Sequence, residues 1–327
     1  MKVAILGATG AVGRTMLDVL AEREAQVDDL VLLASERSRG QTLEWGGREW
    51  TVDTPREGAF RGCDVALFSA GAELSREWAP VAAAEGAVVV DNSSAWRMDE
   101  RVPLVVPEVN PGRAAARPKG IIANPNCSTI QLVVPLEAIR RAAGLRWVVT
   151  STYQSVSGAG QRGVDAYRGE RNGGGRAESS PFPAPIDGNV IPRIGPLLED
   201  GWTQEEAKMR NETRKILDLP SLPVAATCVR VPVEIGHAVT AAVETERSLT
   251  AAEAREVLRA FPGVTVVDPG RGDPLPRDLA GSDGIAVGRL RSDPDRPNVL
   301  HMWIVADNLR KGAATNTVQI AELVVGG

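Results

Sequence analysis

Cysteine and histidine are scarce in this chain of 327 residues, which contains three cysteines and two histidines. The cysteines, Cys63, Cys127 and Cys228, lie far apart and form no C-x-x-C pair, so the sequence predicts neither a disulfide framework nor a metal site. A mechanism that needs a histidine base near neutral pH can choose only between His237 and His301.

Long apolar runs and an excess of positive charge are also missing. No run of about 18 apolar residues occurs, which excludes a helix that spans a membrane, and the N-terminus lacks the apolar core and cleavage site of a signal peptide. The net charge of −5 argues against a nucleic-acid partner, because phosphate binding needs an excess of Lys and Arg on one face. We therefore expect a soluble, cytoplasmic protein that acts on a small molecule.

The composition and the length of the chain predict two ordinary folded domains. With 43% hydrophobic and 24% charged residues, the chain is typical neither of disordered proteins nor of collagen or coiled coils. Short apolar runs alternate with amphipathic segments in the first third, which predicts a parallel sheet covered by helices, a doubly wound α/β domain. Strands are predicted at 2–7, 30–35, 64–70, 87–93, 104–107 and 121–124, and helices at 12–24 and 73–85.

The strand pattern changes after about residue 145, where the apolar runs become longer and more often alternate with polar residues. This pattern favours a mostly antiparallel sheet with helices on one face. Strands are predicted at 147–156, 224–235, 238–246, 264–268 and 300–308, and helices at 203–217, 250–260 and 310–325. Two loops rich in glycine and proline, 169–185 and 268–284, are expected to be mobile or to lie at an interface.

A glycine-rich turn follows the first predicted strand. Gly7, Gly10 and Gly13 in GATGAVG stand between a strand and a helix, which is where a dinucleotide-binding turn brings the backbone close to a pyrophosphate. The spacing G-x-x-G-x-x-G is a variant of the usual G-x-G-x-x-G. A dinucleotide cofactor is therefore expected in the first domain.

The end of the second predicted strand bears on which dinucleotide is bound. An NAD enzyme usually has an acidic residue here, whereas Ser35, Arg37 and Ser38 offer a guanidinium and hydroxyls to the 2′-phosphate of NADP. NADP is favoured, although the carboxylate of Glu36 would suit NAD.

Cys127 stands out among the cysteines because of its neighbours. In ANPNCST it follows an apolar strand and precedes a helical stretch, so its thiol should lie at a helix N-terminus, where the helix dipole and free amides stabilise a thiolate. Cys63 and Cys228 are expected to be small buried residues.

Arg230 and His237 occur seven residues apart in VRVPVEIGH. On one extended strand this odd separation places two side chains on opposite faces. Pro232 and Gly236 interrupt the strand, which would allow both side chains to reach one site. Taken alone, His237 is as consistent with a structural histidine as with a base, and His301 is expected to be structural.

Taken together and in order, segments along nearly the whole chain resemble the aspartate-β-semialdehyde dehydrogenase family. These segments are GATGAVG, LLASERSRG, DNSSAWRM, PEVN, IIANPNCSTIQ, TYQSVSGAG, EEAKMRNETRKI, CVRVPVEIGH and DNLRKGAATNTVQIAE. The resemblance implies a Rossmann-type NADP-binding domain at 1–127, completed by a helix at 309–327, and an α+β catalytic and dimerisation domain like that of glyceraldehyde-3-phosphate dehydrogenase at 128–308. It also implies a homodimer or a dimer of dimers.

The same resemblance implies a reaction and a role for each matching residue. The reaction is the NADPH-dependent reductive dephosphorylation of L-aspartyl-4-phosphate to L-aspartate-4-semialdehyde, in the synthesis of lysine, threonine and methionine. Cys127 would form an acyl-thioester, His237 would deprotonate the thiol and act as general acid and base, and Gln154 would orient the substrate. The residues implied to bind the substrate are Arg230 at the α-carboxylate, Glu205 (or Glu206) at the α-amino group, and Arg97, Lys208 and Asn126 at the acyl phosphate. Those that the resemblance adds at the cofactor are Thr9, Ala11, Val12, Ser157, Gly158 and Asn308.

Some observations leave alternatives open. Glu205 and Lys208 are also spaced for an ordinary helix ion pair, and Arg97 would also suit a surface cation. Where the family commonly has a glutamate two residues after the histidine, this chain has Val239 after Ala238, which removes a carboxylate near the presumed base.

Two other functions compete with the implied reaction. An N-acetyl-γ-glutamyl-phosphate reductase would share the cofactor turn and the cysteine, but an acidic partner such as Glu205 favours a free ammonium group. A non-catalytic homologue is disfavoured because Cys127, Gln154, Arg230 and His237 are all present.

Overall fold

The computed structural model describes residues 1–326, and the chain forms two compact units. The first consists of Met1–Asn126 together with the segment from Ala313 onwards, and the second is Cys127–Gly312. Cys127, which the sequence places in the first domain, is thus the first residue of the second unit. Each unit has its own sheet.

The sheet of the first unit has seven strands in the order β3-β4-β2-β1-β5-β6-β7, parallel except for the antiparallel pair β3 and β4. Its inner strands are apolar and buried on both sides, as a sheet covered by helices on both faces requires. The strands are β1 (Lys2–Leu6), β2 (Asp29–Leu33), β3 (Thr42–Trp45), β4 (Arg48–Asp53), β5 (Val65–Phe68), β6 (Val88–Asp91) and β7 (Ile121–Ala123), with helices α1 (Ala11–Glu22) and α2 (Ala72–Ala84).

Two details of the first unit differ from the prediction. The run 104–107 forms a single bridge, between Leu104 and Ala123 of β7, and not a longer strand. Asn110 binds the backbone of the same run: Oδ1 accepts from the amide of Val106 at 2.9 Å and Nδ2 donates to the carbonyl of Leu104 at 3.0 Å. The hairpin of β3 and β4 was not predicted, although Gly46 and Gly47, both with positive φ, form its turn. Its strands are largely polar and exposed, so they lack the apolar pattern that marks the other strands.

The second unit is built on a six-stranded sheet in the order β11-β12-β13-β10-β8-β9. Three neighbouring pairs are antiparallel and two, β8 with β9 and β11 with β12, are parallel. The strands are β8 (Trp147–Gln154), β9 (Val224–Arg230), β10 (His237–Glu244), β11 (Val264–Val266), β12 (Ile285–Ser292) and β13 (Val299–Ala306). β12 was not predicted, since it follows a glycine-rich loop and carries exposed arginines.

Helices cover one face of this second sheet and leave the other partly open. The helices that pack against the strands on this face are α3 (Cys127–Ala143), α5 (Gln204–Leu217) and α6 (Ala251–Arg259). The second unit also contains α4 (Gln161–Gly169) and the short α7 (Pro276–Leu279), which contacts β13. Strand register aligns Val149, Ala242 and His301 in one row of the open face, and Ser151, Thr240 and Trp303 in the next.

The last helix, α8 (Thr315–Val325), belongs to the first unit. Asn316 donates from Nδ2 to Oδ1 of Asn124 at 2.7 Å and to the carbonyl of Val105 at 3.1 Å, and Glu322 pairs with Arg23 of α1 at 2.6 Å. The predicted fold class, a Rossmann-type domain with a second α+β domain, is confirmed. Within residues 1–326, no helix combines the length and the apolar character that a bilayer crossing requires.

Candidate active site and cofactor turn

Cys127 is the first residue of α3, as the sequence predicts. It is partly exposed, whereas most of the helix behind it is buried. The first turn of a helix has backbone amides without partners inside the helix, and they favour a negative charge such as a thiolate. Gly312 packs directly against this residue, since a Cβ atom added to Gly312 would lie 2.9 Å from Cβ of Cys127.

The other two cysteines are unsuited to nucleophilic chemistry. Cys63 and Cys228 are buried. Burial raises the pKa of Cys63 above its ordinary value, and it raises the pKa of Cys228 to about 12. Both therefore remain protonated thiols at neutral pH.

Gln154 and Glu205 form a buried polar pair. Gln154 ends β8 with 1% of its surface exposed, and its Nε2 donates to Oε1 of Glu205 and to Oγ1 of Thr152, both at 3.2 Å. The other oxygen of Glu205 accepts from Nζ of Lys208 at 3.1 Å, so the helix ion pair that the spacing allows is formed. The carboxylate of Glu205 thus contacts both Gln154 and Lys208.

Glu206 has a different function from its neighbour. Its Oε2 accepts from the amide of Thr203 at 2.7 Å, while the hydroxyl of Thr203 accepts from the amide of Glu206, which completes a capping box at the start of α5. Its Oε1 accepts from the amide of Cys228 at 3.1 Å and so connects the helix to β9. Because both oxygens bind backbone amides, Glu205 is the better candidate for an ammonium partner.

Arg230 ends β9 and is buried, with 5% of its surface exposed. Its Nη1 donates to the carbonyl of Ser155 at 2.6 Å, and its guanidinium lies over the ring of Phe182. Burial lowers the pKa of Arg230, and the charges of Glu205 and Cys127 partly offset this effect. Since electrostatic attraction is mutual, Arg230 also favours the ionised thiol of Cys127.

His237 begins β10 and is fully buried. Its Nδ1 accepts a hydrogen bond from the amide of Ser155 at 3.1 Å and lies 3.0 Å from the hydroxyl of the same residue. Burial lowers the pKa of His237 to about 3, and the positive charge of Arg230 contributes. The ring is therefore neutral at pH 7, and its Nε2 has no hydrogen-bond partner among residues 1–326.

Arg230 and His237 face the same point, above Gly158. A Cβ atom added to Gly158 would lie 2.7 Å from Nη1 of Arg230 and 3.1 Å from Nε2 of His237. Two residues seven positions apart on one strand would point to opposite faces of the sheet. Arg230 and His237 are not on one strand, because β9 ends at Arg230 and β10 begins at His237.

Asn308 connects the segment after β8 to the turn before His237. Its Oδ1 accepts from the amide of Gly236 at 2.9 Å and from the hydroxyl of Ser155 at 3.0 Å, and its Nδ2 donates to the hydroxyl of Ser157 at 3.0 Å. Sequence reasoning missed Ser155, because a serine after a strand carries no signal of its own. Asn308 and Ser157, predicted at the cofactor, are both buried in this network.

The glycine-rich turn of the first unit has the geometry that a pyrophosphate needs. Gly7 has a φ of +92°, and a Cβ atom on Gly13 would lie 2.2 Å from the carbonyl oxygen of Gly7. Gly10 precedes α1 without a capping side chain, and no acidic residue occurs in the first turn. The residues therefore fit a dinucleotide, whose phosphates would accept from the amides at the start of α1.

The segment after β2 adds polar groups near that turn. The hydroxyls of Thr9 and Ser38 are 3.1 Å apart, and Arg37 is exposed beside them. Glu36 faces Arg39 at 3.8 Å, so its carboxylate is partly neutralised.

Arg97 and Asn126 are buried in the first unit, whereas Lys208 belongs to the second. Arg97 donates from Nε to the carbonyl of Asn124 at 2.9 Å and from Nη2 to that of Asn92 at 3.0 Å. Arg97 is thus a rigidly held cation and not a mobile surface residue.

Comparison with known proteins gives matches along almost the whole chain. A family model described as the NAD binding domain of semialdehyde dehydrogenase matches residues 2–116, and one described as the dimerisation domain matches residues 136–311. An aspartate-semialdehyde dehydrogenase of Aquifex aeolicus is 52% identical, with 99% of this chain and 98% of the relative covered. Aspartate-semialdehyde dehydrogenase 2 of Vibrio cholerae is 49% identical, with 99% of this chain and 97% of the relative covered.

Solved structures agree with these matches. The crystal structure of aspartate semialdehyde dehydrogenase II from Vibrio cholerae has a TM-score of 0.96 and 49% identity, with 99% of this chain and 98% of that chain covered. A second crystal structure of that enzyme, complexed with ASA, gives the same values.

Proposed function

Because the chain belongs to the aspartate-semialdehyde dehydrogenase family, we propose that it catalyses the NADPH-dependent reductive dephosphorylation of L-aspartyl-4-phosphate through a thioester on Cys127. The observation that carries this mechanism is the position of Cys127 at the start of α3, within the electrostatic reach of Arg230. Ionised in this way, a cysteine is a strong nucleophile at neutral pH.

The reaction requires one covalent intermediate on the protein. The thiolate of Cys127 attacks the acyl carbon, the bond from that carbon to the phosphate oxygen breaks, and inorganic phosphate leaves. NADPH, when bound, supplies the hydride that reduces the thioester carbon. The carbon–sulfur bond then breaks, which releases L-aspartate-4-semialdehyde and restores the thiolate.

The charged groups of the second unit match an amino-acid substrate. Arg230 offers a planar pair of donors to the α-carboxylate, and Glu205 offers a carboxylate to the α-ammonium group. Gln154, bonded to Glu205, orients the substrate. An acetylated nitrogen has no charge for Glu205 to bind, which disfavours N-acetyl-γ-glutamyl phosphate.

The leaving phosphate needs positive charge and hydrogen-bond donors. Arg97 and Asn126 of the first unit and Lys208 of the second are the proposed ligands. Lys208 pairs with Glu205 in the structure, so an incoming substrate ammonium group competes for that carboxylate and releases Lys208 for the phosphate.

The proposed cofactor is NADP, bound at the glycine-rich turn. Gly7, Gly10 and Gly13 form this turn, and a Cβ atom on Gly7 or Gly13 would lie 2.8 or 2.2 Å from neighbouring protein atoms, so glycine is what allows the tight backbone that a pyrophosphate approaches. The remaining proposed ligands are Thr9, Ala11, Val12, Ser35, Arg37 and Ser38 of the first unit and Ser157, Gly158 and Asn308 of the second.

The proposed assembly is a homodimer formed through the open face of the second sheet. The dimerisation-domain model matches the unit that contains this sheet. The open face includes Val149, half of whose surface is exposed, as well as the partly exposed Trp303. A second copy would bury these apolar side chains.

Substitution of Cys127 tests the covalent mechanism. Cys127→Ala should lower kcat at least about 10³-fold, because no other group replaces the nucleophile, and Cys127→Ser should also be strongly impaired. The assay is the phosphate-dependent reduction of NADP by L-aspartate-4-semialdehyde. Cys63→Ala, a change at a buried cysteine of the first unit, serves as the control and should retain activity. Substantial activity of Cys127→Ala would refute the thioester, and much faster turnover of N-acetylglutamate semialdehyde would refute the substrate.

Substitution of Arg37 tests the cofactor assignment. Arg37→Ala should raise the KM for NADP at least about tenfold and leave that for NAD nearly unchanged, since only NADP carries the 2′-phosphate. The control is Arg48→Ala, which removes an arginine that stacks on Trp50 in the hairpin of the same unit. Equal effects of Arg37→Ala on both cofactors would contradict the assignment.

A further inference from the structure

Glu170 is a buried carboxylate that the proposed mechanism does not use. It follows α4 directly, and 9% of its surface is exposed. Its Oε2 accepts hydrogen bonds from two consecutive backbone amides, that of Ile186 at 2.6 Å and that of Asp187 at 2.9 Å. Its Oε1 is buried and has no hydrogen-bond partner among residues 1–326. Because a buried carboxylate is costly unless it is bonded, these contacts with one point of the chain indicate a specific role there.

The two amides belong to the segment 181–191, which has no regular secondary structure. Its sequence, PFPAPIDGNVI, contains three prolines, which have no N–H to donate. The structure describes the segment in full, and it contains no helix or strand and joins the second sheet at Ile191 by a single bridge. Glu170 therefore anchors the middle of an irregular segment.

Both ends of this segment contact Arg230. Near its start, the guanidinium lies over the ring of Phe182, with 5.9 Å between Cζ of Arg230 and the ring centroid. At its end, Ile191 and Arg230 exchange two backbone hydrogen bonds, of 2.8 and 2.9 Å. Phe182, Ile186 and Ile191 also belong to one buried apolar cluster. The anchor at Ile186 thus lies between the contact that holds the guanidinium of Arg230 and the contact that holds its backbone.

The guanidinium of Arg230 has few hydrogen bonds that would fix its direction. Nη1 donates to the carbonyl of Ser155 at 2.6 Å, and the other guanidinium nitrogens have no hydrogen-bond partner among residues 1–326. The direction of these donors depends on how the side chain is packed, and Phe182 is the ring on which it packs. A carboxylate that binds two of the donors needs this direction to be fixed, since a shift of about 1 Å at such a group can cost about 100-fold in rate.

We propose that Glu170 is a positioning residue for the substrate carboxylate: by anchoring the segment 181–191, it keeps Phe182 against Arg230 and so fixes the direction of the guanidinium. This inference rests on the proposed role of Arg230 as the ligand of the α-carboxylate. Because Glu170 acts only through this segment, its loss should affect a substrate that carries the carboxylate and spare one that lacks it.

Two substrates measured with one variant test this role. L-Aspartate-4-semialdehyde carries the α-carboxylate, and 3-aminopropanal is the same molecule with a hydrogen in its place. In Glu170→Ala, we expect kcat/KM for L-aspartate-4-semialdehyde to fall at least about tenfold, mainly through KM, and kcat/KM for 3-aminopropanal to fall less than about threefold. Initial rates at high enzyme concentration give both values, since 3-aminopropanal should bind weakly. Equal losses on the two substrates, or no loss on either, would overturn the proposal.

Glu170→Gln and Glu178→Ala are the matched comparisons. The side-chain carbonyl of a glutamine can accept from the amides of Ile186 and Asp187 as Oε2 does, so Glu170→Gln should keep kcat/KM within about threefold of the wild type. Glu178 is exposed in the loop 169–185, and Glu178→Ala should leave both substrates unaffected. If Glu170→Gln were as impaired as Glu170→Ala, the two hydrogen bonds would not be what holds the segment, and the proposal would fail.

Phe182→Leu tests the other end of the same contacts and remains informative if Glu170→Ala does not fold. Leucine keeps an apolar side chain in the cluster but offers the guanidinium no ring, so kcat/KM should again fall for L-aspartate-4-semialdehyde and not for 3-aminopropanal. Equal losses would show that the segment does not direct Arg230. Arg230→Ala separates this outcome from a failure of the proposed function, because it should abolish the preference for the substrate with the carboxylate. If Arg230→Ala kept that preference, another group would bind the carboxylate.

Discussion

Glu205 and Glu206 are adjacent in sequence yet have separate functions because they point in different directions from α5. Glu206 binds the amides of Thr203 and Cys228, which are structural contacts. Glu205 binds the side chains of Gln154 and Lys208, both of which are candidates for contact with the substrate. At the scale of single residues, the direction of the side chain therefore decides that Glu206 makes structural contacts, whereas Glu205 contacts candidate substrate-binding residues.

The same substitution at the two glutamates should change different properties, substrate binding at Glu205 and thermal stability at Glu206. Glu205→Gln should raise the KM for L-aspartate-4-semialdehyde at least about tenfold, because the ammonium group loses its counter-charge. Glu206→Gln should keep KM but lower Tm by about 2–4 °C, as expected for about 1 kcal/mol lost at a helix cap. Steady-state kinetics and thermal unfolding of both variants check this. A reversal of the two effects would show that the roles are exchanged.

At the scale of elements, the segment after β8 organises the site. It turns into a short 3-10 helix, Val156–Ala159, whose Gly158 has no side chain at the point that Arg230 and His237 face. The same segment supplies the carbonyl of Ser155 to Arg230 and the amide of Ser155 to His237. One short segment thus holds both Arg230 and His237 through the backbone of Ser155.

Addition of a single methyl group to this helix should disturb binding more than stability. In Gly158→Ala the new Cβ would lie 2.7 Å from Nη1 of Arg230, so the guanidinium must move, and the KM for L-aspartate-4-semialdehyde should rise at least about tenfold. Gly169→Ala in α4 is the control, because Gly169 has helical φ and ψ angles and open space around its Cα. That variant should be neutral or stabilised by about 0.5–1 kcal/mol. Comparable rises in KM in both variants would contradict the crowding argument.

At the scale of the whole molecule, the second sheet is unequally covered. Three helices bury one face, whereas residues on three adjacent strands, among them Val149, Ala242 and Trp303, remain partly exposed on the other. A sheet face of this kind, on which exposed apolar side chains lie among polar ones, is a suitable surface for a second copy, since a twofold interface would bring it against itself. The homodimer, like the cytoplasmic location, stays a prediction.

A charge placed on this face should separate the proposed dimer. Ala242→Arg introduces two charges per dimer in an apolar contact and should weaken association at least about 100-fold. Ala252→Arg, on the exposed surface of α6, is the matched control and should leave association unchanged. Sedimentation equilibrium of the wild type and of both variants measures the association. If the wild type is a dimer and Ala242→Arg is a dimer as well, the interface lies elsewhere.

The prediction of elements was accurate where burial leaves a pattern in the sequence. β1, β5 and β6 are short apolar runs, and they were found because both of their faces are covered. The run 104–107 is apolar as well, but it makes only one bridge to β7, while Asn110 binds the backbone of Leu104 and Val106. The local pattern does not reveal that contact with Asn110. β12 was missed because a bulge between Gly288 and Arg291 and its exposed arginines break the alternation.

The sequence by itself determined the fold class and the family, because strand and helix periods, the glycine-rich turn and the setting of Cys127 depend on residues that are close together in the chain. Only the tertiary structure decided which glutamate faces Gln154, that Arg230 and His237 share one point above Gly158, and that Ser155 holds the ring nitrogen of His237. These facts depend on side-chain direction and on contacts between residues as far as 82 positions apart, which no local pattern encodes.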